Sequence, residues 1–190
     1  MKRETAKPKP QSGIRIIGGS LKRSKLNVVK RDGLRPTPDR TRETLFNWLM
    51  PFISGAVVLD CFAGSGALGL EALSRGAYCC TFVETDREIA RQIEANLTRF
   101  EITDQASVTL TDALILPRDV INKASIIFAD PPFNKGMTQE FLTQIREKVR
   151  PDSRVVLECE RNEDLNLEGF EVIRELKAGT DCMRLLRPKP

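Results

Sequence analysis

The sequence predicts a doubly wound α/β fold built on a mostly parallel, seven-stranded sheet. From residue 56 onward, short apolar runs that are typical of buried strands alternate with longer stretches of helical periodicity. This alternation is the pattern of parallel strands joined by crossover helices. The last two strand candidates are separated only by residues 178–180, so we expect them to form an antiparallel hairpin that completes the sheet.

The bounds of the individual elements follow from changes in periodicity and from the turn residues between them. Strands are expected at residues 56–61, 79–84, 106–110, 125–129, 153–159, 170–176 and 181–186. Helices are expected at residues 67–75, 87–100 and 138–149, with a shorter helical piece near 119–122. Asp86 directly precedes the second of these helices and is expected to cap it.

Before the sheet, the chain is expected to form a tail and a basic arm. Residues 1–12 alternate lysine with proline and contain few apolar residues, which is typical of a disordered tail. Residues 14–17 and 21–29 are strand-like and flank a Gly-Gly-Ser turn, so they predict a β-hairpin. We therefore expect three parts: the tail, an N-terminal arm at 13–38 that carries a small basic hairpin, and a main domain at 39–190.

A helix is expected where the arm meets the main domain. Residues 34–38 should be extended, because a proline disfavours helix at the residue before it. Thr37 can cap a helix that has Pro38 at its first position. This helix is expected to run to about Met50 and to stop at Pro51.

The net charge of +4 conceals a division along the chain. Residues 1–42 contain thirteen Lys/Arg and three Asp/Glu, which gives a net charge of +10. Residues 43–190 contain seventeen Lys/Arg and twenty-three Asp/Glu, which gives a net charge of −6. A basic arm on a mildly acidic body favours a polyanion bound at one end of the molecule. The side chains expected to contact its phosphates are Arg15, Lys22, Arg23, Lys25, Arg35, Arg40 and Arg42.

Composition also argues against several classes of protein. The chain has no histidine, and its five cysteines form no CxxC pair, so we expect no metal site. The cysteines fit buried thiols in a reducing compartment better than a disulfide framework. Because the sequence has neither a signal peptide nor an apolar run long enough to cross a bilayer, we expect a cytoplasmic protein, and we expect a monomer.

A glycine loop follows the first predicted strand. Gly64, Gly66 and Gly69 have the GxGxxG spacing of nucleotide-binding loops. Asp60 ends the strand, and its carboxylate would repel a pyrophosphate lying against that loop. A cofactor with a positive centre reverses the sign of this interaction. The loop therefore favours S-adenosylmethionine, which carries a sulfonium and an ammonium, over a nicotinamide dinucleotide.

Acids also follow the next strands. Glu84 is placed to accept hydrogen bonds from ribose hydroxyls, and Asp112 can reach the adenine amino group. With Asp60 and Asp130, they place one acid after each of four strand candidates, at the edge where open α/β sheets bind ligands. The residues expected to hold the cofactor are Asp60, Phe62, Ala63, Gly64, Gly66, Glu84, Asp112 and Ala113.

The most informative motif is Asp130-Pro131-Pro132-Phe133, which follows an apolar strand candidate. The Asp130 carboxylate can accept a hydrogen bond from an amino group. The Pro131 carbonyl is a second acceptor, and its direction is fixed because proline holds φ near −65°. Phe133 offers a ring on which a flat base can stack. Asp130, Pro131 and Phe133 thus predict a base clamp, a catalytic site for a planar heterocycle that carries an exocyclic amino group.

On these motifs the chain resembles the class I S-adenosylmethionine-dependent methyltransferases, which have a Rossmann-like fold. Within them it is similar to the RsmD family of bacterial small-subunit ribosomal RNA guanine-N2 methyltransferases, over nearly all of residues 14–186. The matching stretches are IRIIGGSLKRSKL, LRPTPDRTRETLFNWL, VLDCFAGSGALGLEALSRGA, FVETD and ADPPF. The resemblance implies transfer of a methyl group to N2 of one guanine in a loop of 16S rRNA, on an assembling small ribosomal subunit.

Other functions are compatible with parts of this pattern. An adenine-N6 methyltransferase acting on DNA or RNA would use the same base clamp. A glutamine methyltransferase of protein release factors would also bind an amide NH₂, although such enzymes usually have Asn where this chain has Asp130. Two more distant alternatives are an NAD(P)-dependent oxidoreductase, which Asp60 disfavours, and an RNA-binding assembly protein without catalytic activity.

Overall fold

The computed structural model describes residues 13–29, 37–132 and 136–189. The strands are β1 Val57–Asp60, β2 Cys79–Glu84, β3 Ala106–Leu110, β4 Ile126–Ala129, β5 Arg154–Glu160, β6 Phe170–Ala178 and β7 Asp181–Pro188. The α-helices are α1 Asp39–Ile53, α2 Ala67–Ser74, α3 Arg87–Arg99, α4 Arg118–Lys123 and α5 Met137–Ile145. Two short 3-10 helices, Thr103–Gln105 and Ala113–Ile115, flank β3.

All seven strands form one sheet in the order β3-β2-β1-β4-β5-β7-β6. Strands β1 to β5 pair in parallel, and β7 pairs antiparallel with both β5 and β6. The predicted fold class is therefore confirmed, including the terminal hairpin. The strand order reverses between β1 and β4, so the crevice outside the carboxyl ends of these strands is the expected ligand site of such a sheet.

The sheet is covered on both faces. One buried cluster joins Val58, Ile126 and Val156 to apolar residues of α1, α2, α3 and the N-terminal arm; we call this side the arm face. The other cluster joins Leu59 and Leu157 to residues of α4 and α5. Because successive strand residues point to opposite faces, the buried strands contribute to both clusters and lack a polar side.

Helix α1 differs from the expectation at both ends. It runs through Pro51 to Ile53, because Ile53 is buried and holds the last turn against the sheet, whereas Pro51 is exposed. Pro38, rather than Thr37, is the cap residue, and no side chain caps the helix. The prediction for Thr37 is wrong because its hydroxyl donates instead to Glu158 on β5, at 3.1 Å.

The described part of the arm, residues 13–29, is a short hairpin. The backbone amides of Ile16 and Leu26 donate to Ser24 and Ile14 at 2.9 and 2.8 Å, and Arg15 pairs antiparallel with Lys25. The prediction that residues 21–23 belong to the second strand is wrong, because they form part of the turn. Within the described ranges, no helix has the length and apolar character required to cross a membrane.

Candidate active site

A buried carboxylate anchors the arm to the main domain. Glu71 on α2 is fully buried, and its oxygens accept hydrogen bonds from the amides of Ile17 (2.7 Å) and Gly18 (2.8 Å). Arg75 Nε donates to the same carboxylate at 2.6 Å. A buried charge is costly unless it is paired and hydrogen-bonded, so these contacts hold the arm in one position.

Two further side chains fix the arm to neighbouring helices. Ser74 Oγ accepts from the Leu21 amide at 2.9 Å and donates to the Gly18 carbonyl at 2.5 Å. On α3, the Asn96 amide group accepts from the Asn27 N–H at 3.1 Å and donates to the Asn27 carbonyl at 2.8 Å. The arm is therefore held both at its turn and at its far end, which gives its exposed side chains a defined position.

Most of the basic residues expected to contact phosphate lie at the surface. The exposed ones are Arg15, Lys22, Arg23, Lys25 and Arg40. They cover the arm and the first turn of α1, so the structure brings them together on one side of the sheet. The expected contact at Arg35 lies outside the described residues.

Arg42 is a correction to the predicted phosphate contacts. Its side chain is fully buried beneath the arm, and its Nη2 donates to the Arg15 carbonyl at 2.7 Å and to Asp39 at 2.6 Å. The guanidinium therefore joins α1 to the arm and is not available to a phosphate in solution. Among the described residues, none forms a hydrogen bond with its Nε or Nη1.

The glycine loop is hydrogen-bonded to acids at the ends of β1 and β2. Gly64 N–H donates to Glu84 at 2.9 Å, and Gly69 N–H donates to Asp60 at 3.0 Å. A side chain on Gly69 would begin 2.3 Å from the ring of Phe82, so only glycine lets α2 approach β2 this closely. Gly66 has φ of +74° and precedes the first residue of α2. The two hydrogen bonds thus hold the loop and the start of α2 against the carboxyl ends of β1 and β2.

Asp60 lies buried at the centre of this edge. Burial raises the pKa of its carboxyl from an ordinary 3.8 to about 7; the Gly69 hydrogen bond opposes this shift and the charge of Glu84 adds to it. A nearby cation favours the ionised form of a buried carboxyl and so offsets the cost of its burial. Asp60 therefore fits a ligand with a positive centre better than one with a phosphate.

Glu84 organises the turn between β2 and α3. Its carboxylate accepts a hydrogen bond from the Gly64 amide and two more from the amides of Thr85 (2.8 Å) and Asp86 (2.9 Å). Asp86 in turn accepts from the amides of Glu88 and Ile89, which confirms its predicted role as the cap of α3. Glu84 is partly exposed, and a carboxylate has acceptor capacity beyond these bonds, so it can still bind a hydroxyl.

The remaining expected cofactor residues line both sides of the loop. Asp112 accepts from the Leu114 amide at 2.9 Å and caps the short helix that contains the buried Ala113. Ala63 is buried, and the ring of Phe62 packs edge-on against Phe141 of α5 at 5.3 Å. These positions all lie at or just beyond the ends of β1 and β3, beside the same crevice.

The first two residues of the predicted base clamp directly follow β4. Asp130 is half-buried, Pro131 is buried and Pro132 is exposed, whereas Phe133 lies outside the described residues. Burial raises the pKa of the Asp130 carboxyl well above its usual range, and the negative charges of Glu158, Asp60 and Asp181 raise it further. Asp130 and the glycine loop thus lie at the ends of the adjacent strands β4 and β1.

One acid at this edge is not among the predicted site residues. Glu158 lies within β5 and is 7% exposed, and its negative charge raises the pKa of Asp130. Glu158 does not follow the end of a strand, because β5 continues to Glu160. Strand alternation could have found it, since Glu158 shares a face with the buried Val156.

Comparisons with known proteins identify the family of the chain. A family model described as "Conserved hypothetical protein 95", the model of the RsmD family, matches residues 14–187. The chain belongs to the RsmD family. The resemblance to the RsmD family that the sequence motifs indicate is therefore confirmed.

Two relatives show how far the similarity extends. The protein named ribosomal RNA small subunit methyltransferase D of Haemophilus influenzae is 37% identical over 184 residues, covering 94% of this chain and 95% of the relative. The protein of the same name from Escherichia coli K12 is 41% identical over 176 residues, covering 90% and 88%. The RsmD match therefore includes both the arm and the sheet.

Solved structures give the same result for the fold. The Escherichia coli protein yhhF superimposes with a TM-score of 0.80 and 36% identity, covering 93% of this chain and 98% of that one. An RNA methyltransferase from Salinibacter ruber, solved with S-adenosyl-L-homocysteine, gives a TM-score of 0.66 at 16% identity, covering 82% and 95%. At that identity the second likeness concerns the fold alone.

Proposed function

We propose that this protein transfers a methyl group from S-adenosylmethionine to the exocyclic N2 amine of a guanine in 16S rRNA. The observation that carries the proposal is the pair of acceptors, Asp130 and the Pro131 carbonyl, directly after β4 and next to the glycine loop of β1. The names of the RsmD relatives support ribosomal RNA of the small subunit as the substrate. An assembling subunit is the form of this substrate that we propose.

The residues of the loop suit S-adenosylmethionine on their own chemistry. When bound, this cofactor supplies a methyl group on a sulfonium, and loss of the methyl leaves a neutral thioether. Asp60, buried and with a raised pKa, would face the positive part of the molecule. Glu84 would bind the ribose hydroxyls, and Asp112 with Ala113 would bind the adenine. Phe62, Ala63, Gly64 and Gly66 would shape the wall between them.

The base clamp would make a poor nucleophile reactive. The lone pair of the guanine N2 is delocalised into the ring, so the amine reacts only when it is held pyramidal. Hydrogen bonds from its two N–H groups to Asp130 and to the Pro131 carbonyl would hold it so, while Phe133 would stack on the base. As N2 gains a methyl it becomes positively charged and must lose one proton, which the Asp130 carboxylate is placed to accept.

The arm would hold the RNA while the target base is turned out of its stack. Exchanging Lys22 and Lys25 for glutamine removes two exposed charges from the arm. We expect weaker RNA binding and a slope of log K against log[salt] that is shallower by roughly 1 to 2 units, because fewer counterions are released. Binding is measured by fluorescence anisotropy with a fragment of 16S rRNA across a salt series.

The matched control for the arm lies on the opposite face of the sheet. Arg118 and Lys123 are exposed on α4, and their exchange for glutamine removes the same charge. The control variant should keep the salt slope of the wild type. An unchanged slope in the arm variant, or an equal change in both variants, would rule out the arm as the main phosphate contact.

The substrate is tested by product analysis. Small ribosomal subunits that lack their native methylations are incubated with the protein and tritiated S-adenosylmethionine, and the RNA is digested to nucleosides. We expect label in N2-methylguanosine. Label in N6-methyladenosine would be consistent with the base clamp but would show that the substrate base is adenine rather than guanine. Absence of label from subunits and from naked rRNA, with the cofactor still bound, would reject ribosomal RNA as the acceptor.

A further inference from the structure

Glu158 lies next to Asp130 on the same face of the sheet. Strands β4 and β5 are parallel, and Ala129 pairs with Leu157. The next residues on the two strand paths, Asp130 and Glu158, therefore occupy neighbouring positions. Phe128 and Val156 belong to the cluster of the arm face, and side chains alternate along a strand. Asp130 and Glu158 therefore both point to the arm face.

Glu158 also contacts the start of α1. Thr37 Oγ1 donates to its carboxylate at 3.1 Å, two residues before the first residue of the helix. Phe46, further along α1, packs on Phe128 of β4 with ring centroids 6.0 Å apart. The contact at Thr37 thus fixes the beginning of α1 over the carboxyl ends of β4 and β5, where the base would enter.

The charges that face Asp130 from the described elements are all negative. They come from Asp60 at the end of β1, Glu158 within β5 and Asp181 at the start of β7, and Glu158 has the largest effect of the three. The described residues include no group of His, Cys, Asp or Glu arranged to hold a metal ion. Repulsion between neighbouring carboxylates disfavours the ionised form of each, and a carboxylate that is harder to ionise is a stronger proton acceptor.

We propose that Glu158 is a positioning residue for methyl transfer, which holds Thr37 and the start of α1 beside the base site and strengthens Asp130 as the acceptor of the amine proton. The inference rests on the proposed function. In the step concerned, the bond between N2 and the methyl carbon forms as the bond between that carbon and sulfur breaks. One N–H bond of the resulting cation then breaks, its electron pair stays on N2, and the proton passes to the Asp130 carboxylate.

Titration of Asp130 tests this role without any substrate. The carboxyl carbons of aspartate are labelled with ¹³C, and the Asp130 signal is assigned by its absence in Asp130→Asn. In Glu158→Gln the amide keeps the size of the side chain and can still accept from Thr37, but the charge is lost. We expect the Asp130 titration midpoint to move to lower pH in this variant, because the ionised form of Asp130 is no longer opposed by that charge.

Two further variants separate the charge of Glu158 from its contact. Thr37→Val removes the hydrogen bond and leaves the charge, so the Asp130 midpoint should stay near that of the wild type. Asp181→Asn should lower the midpoint by less than Glu158→Gln, because Asp181 has the smallest effect of the three acids. If Glu158→Gln does not fold, Glu158→Asp keeps the charge in a shorter side chain and should retain a raised midpoint.

The pH profile of methyl transfer gives the second measurement. Activity should rise with pH as Asp130 ionises, and in Glu158→Gln this rise should move to lower pH while the plateau of kcat/KM falls roughly tenfold. An Asp130 midpoint and a pH profile that are both unchanged in folded Glu158→Gln would overturn the proposal. Failure of the proposed substrate alone would leave the ¹³C shift intact, so the two failures are distinguishable.

Discussion

Replacing Asp130 with asparagine is expected to abolish methyl transfer while leaving the cofactor bound. The amide keeps the shape of the carboxyl but cannot accept a proton, and its NH₂ group competes with the N–H groups of the base. Loss of a preorganised charged group at a reacting centre typically costs 10²–10³ in rate, so we expect kcat to fall by about 10³-fold. Single-turnover transfer of a tritiated methyl group measures the loss.

The controls for Asp130 address the fold and the cofactor site. Asp119→Asn on α4 makes the same chemical change at an exposed position and should keep full activity. Calorimetry with S-adenosylhomocysteine should give a wild-type Kd for Asp130→Asn, because the cofactor residues lie around the glycine loop. Near-normal transfer by this variant would exclude the base clamp as the catalytic site.

Replacing Asp60 with asparagine is expected to weaken cofactor binding and to stabilise the unliganded protein at alkaline pH. Loss of a charged hydrogen-bonding partner typically costs about 1.5–3 kcal/mol, so we expect Kd for S-adenosylmethionine to rise roughly 10- to 100-fold. The amide oxygen can still accept from Gly69, so the loop itself should persist. Calorimetry of the wild type and the variant measures the change.

The stability effect of Asp60 follows from the direction of its pKa shift. The pKa rises from 3.8 in the unfolded chain to about 7 in the folded protein. Below pH 4 both states are protonated; between pH 4 and pH 7 the unfolded state ionises first, so the free energy of unfolding falls as pH rises. This cost reaches ~4 kcal/mol above pH 7 and is absent from Asp60→Asn.

Denaturant unfolding from pH 4 to pH 8 measures this effect, with Asp119→Asn as the control. The wild type and the control should lose stability over this interval more steeply than Asp60→Asn does. A positive ligand that restores the ionised form of Asp60 should also release protons on binding at pH 6, detectable as a dependence of binding enthalpy on the buffer. Parallel stability curves for all three proteins would contradict the raised pKa of Asp60.

The order of strands and helices could be predicted because each element has a clear period. Strand β3 and strand β2 match the predicted bounds, and the acids at 60, 84, 112 and 130 all lie at the carboxyl edge as expected. Parallel strands force this result, since every strand that enters the sheet in one direction must end at the same edge. This rule alone predicts the position of Asp130 and Pro131 directly after β4.

Other features depend on contacts between distant segments and could not be predicted. Thr37 has every property of a helix cap, yet its hydroxyl bonds a residue 121 positions away. Glu71 resembles a solvated helical acid until the arm folds over it. The prediction for Arg42 is wrong, although its spacing from Leu45, Phe46 and Leu49 is that of one buried helical face and could have indicated its burial.

The most direct test of the guanine N2 claim replaces the atom that is thought to react. Once the modified nucleotide is located, a 16S rRNA fragment is made with inosine at that position, which removes only the 2-amino group of guanine. We expect this RNA to bind with nearly unchanged affinity and to receive no methyl group there, whereas the guanosine fragment is methylated. Equal methylation of the inosine and guanosine fragments at that position would contradict guanine N2 as the atom that is methylated.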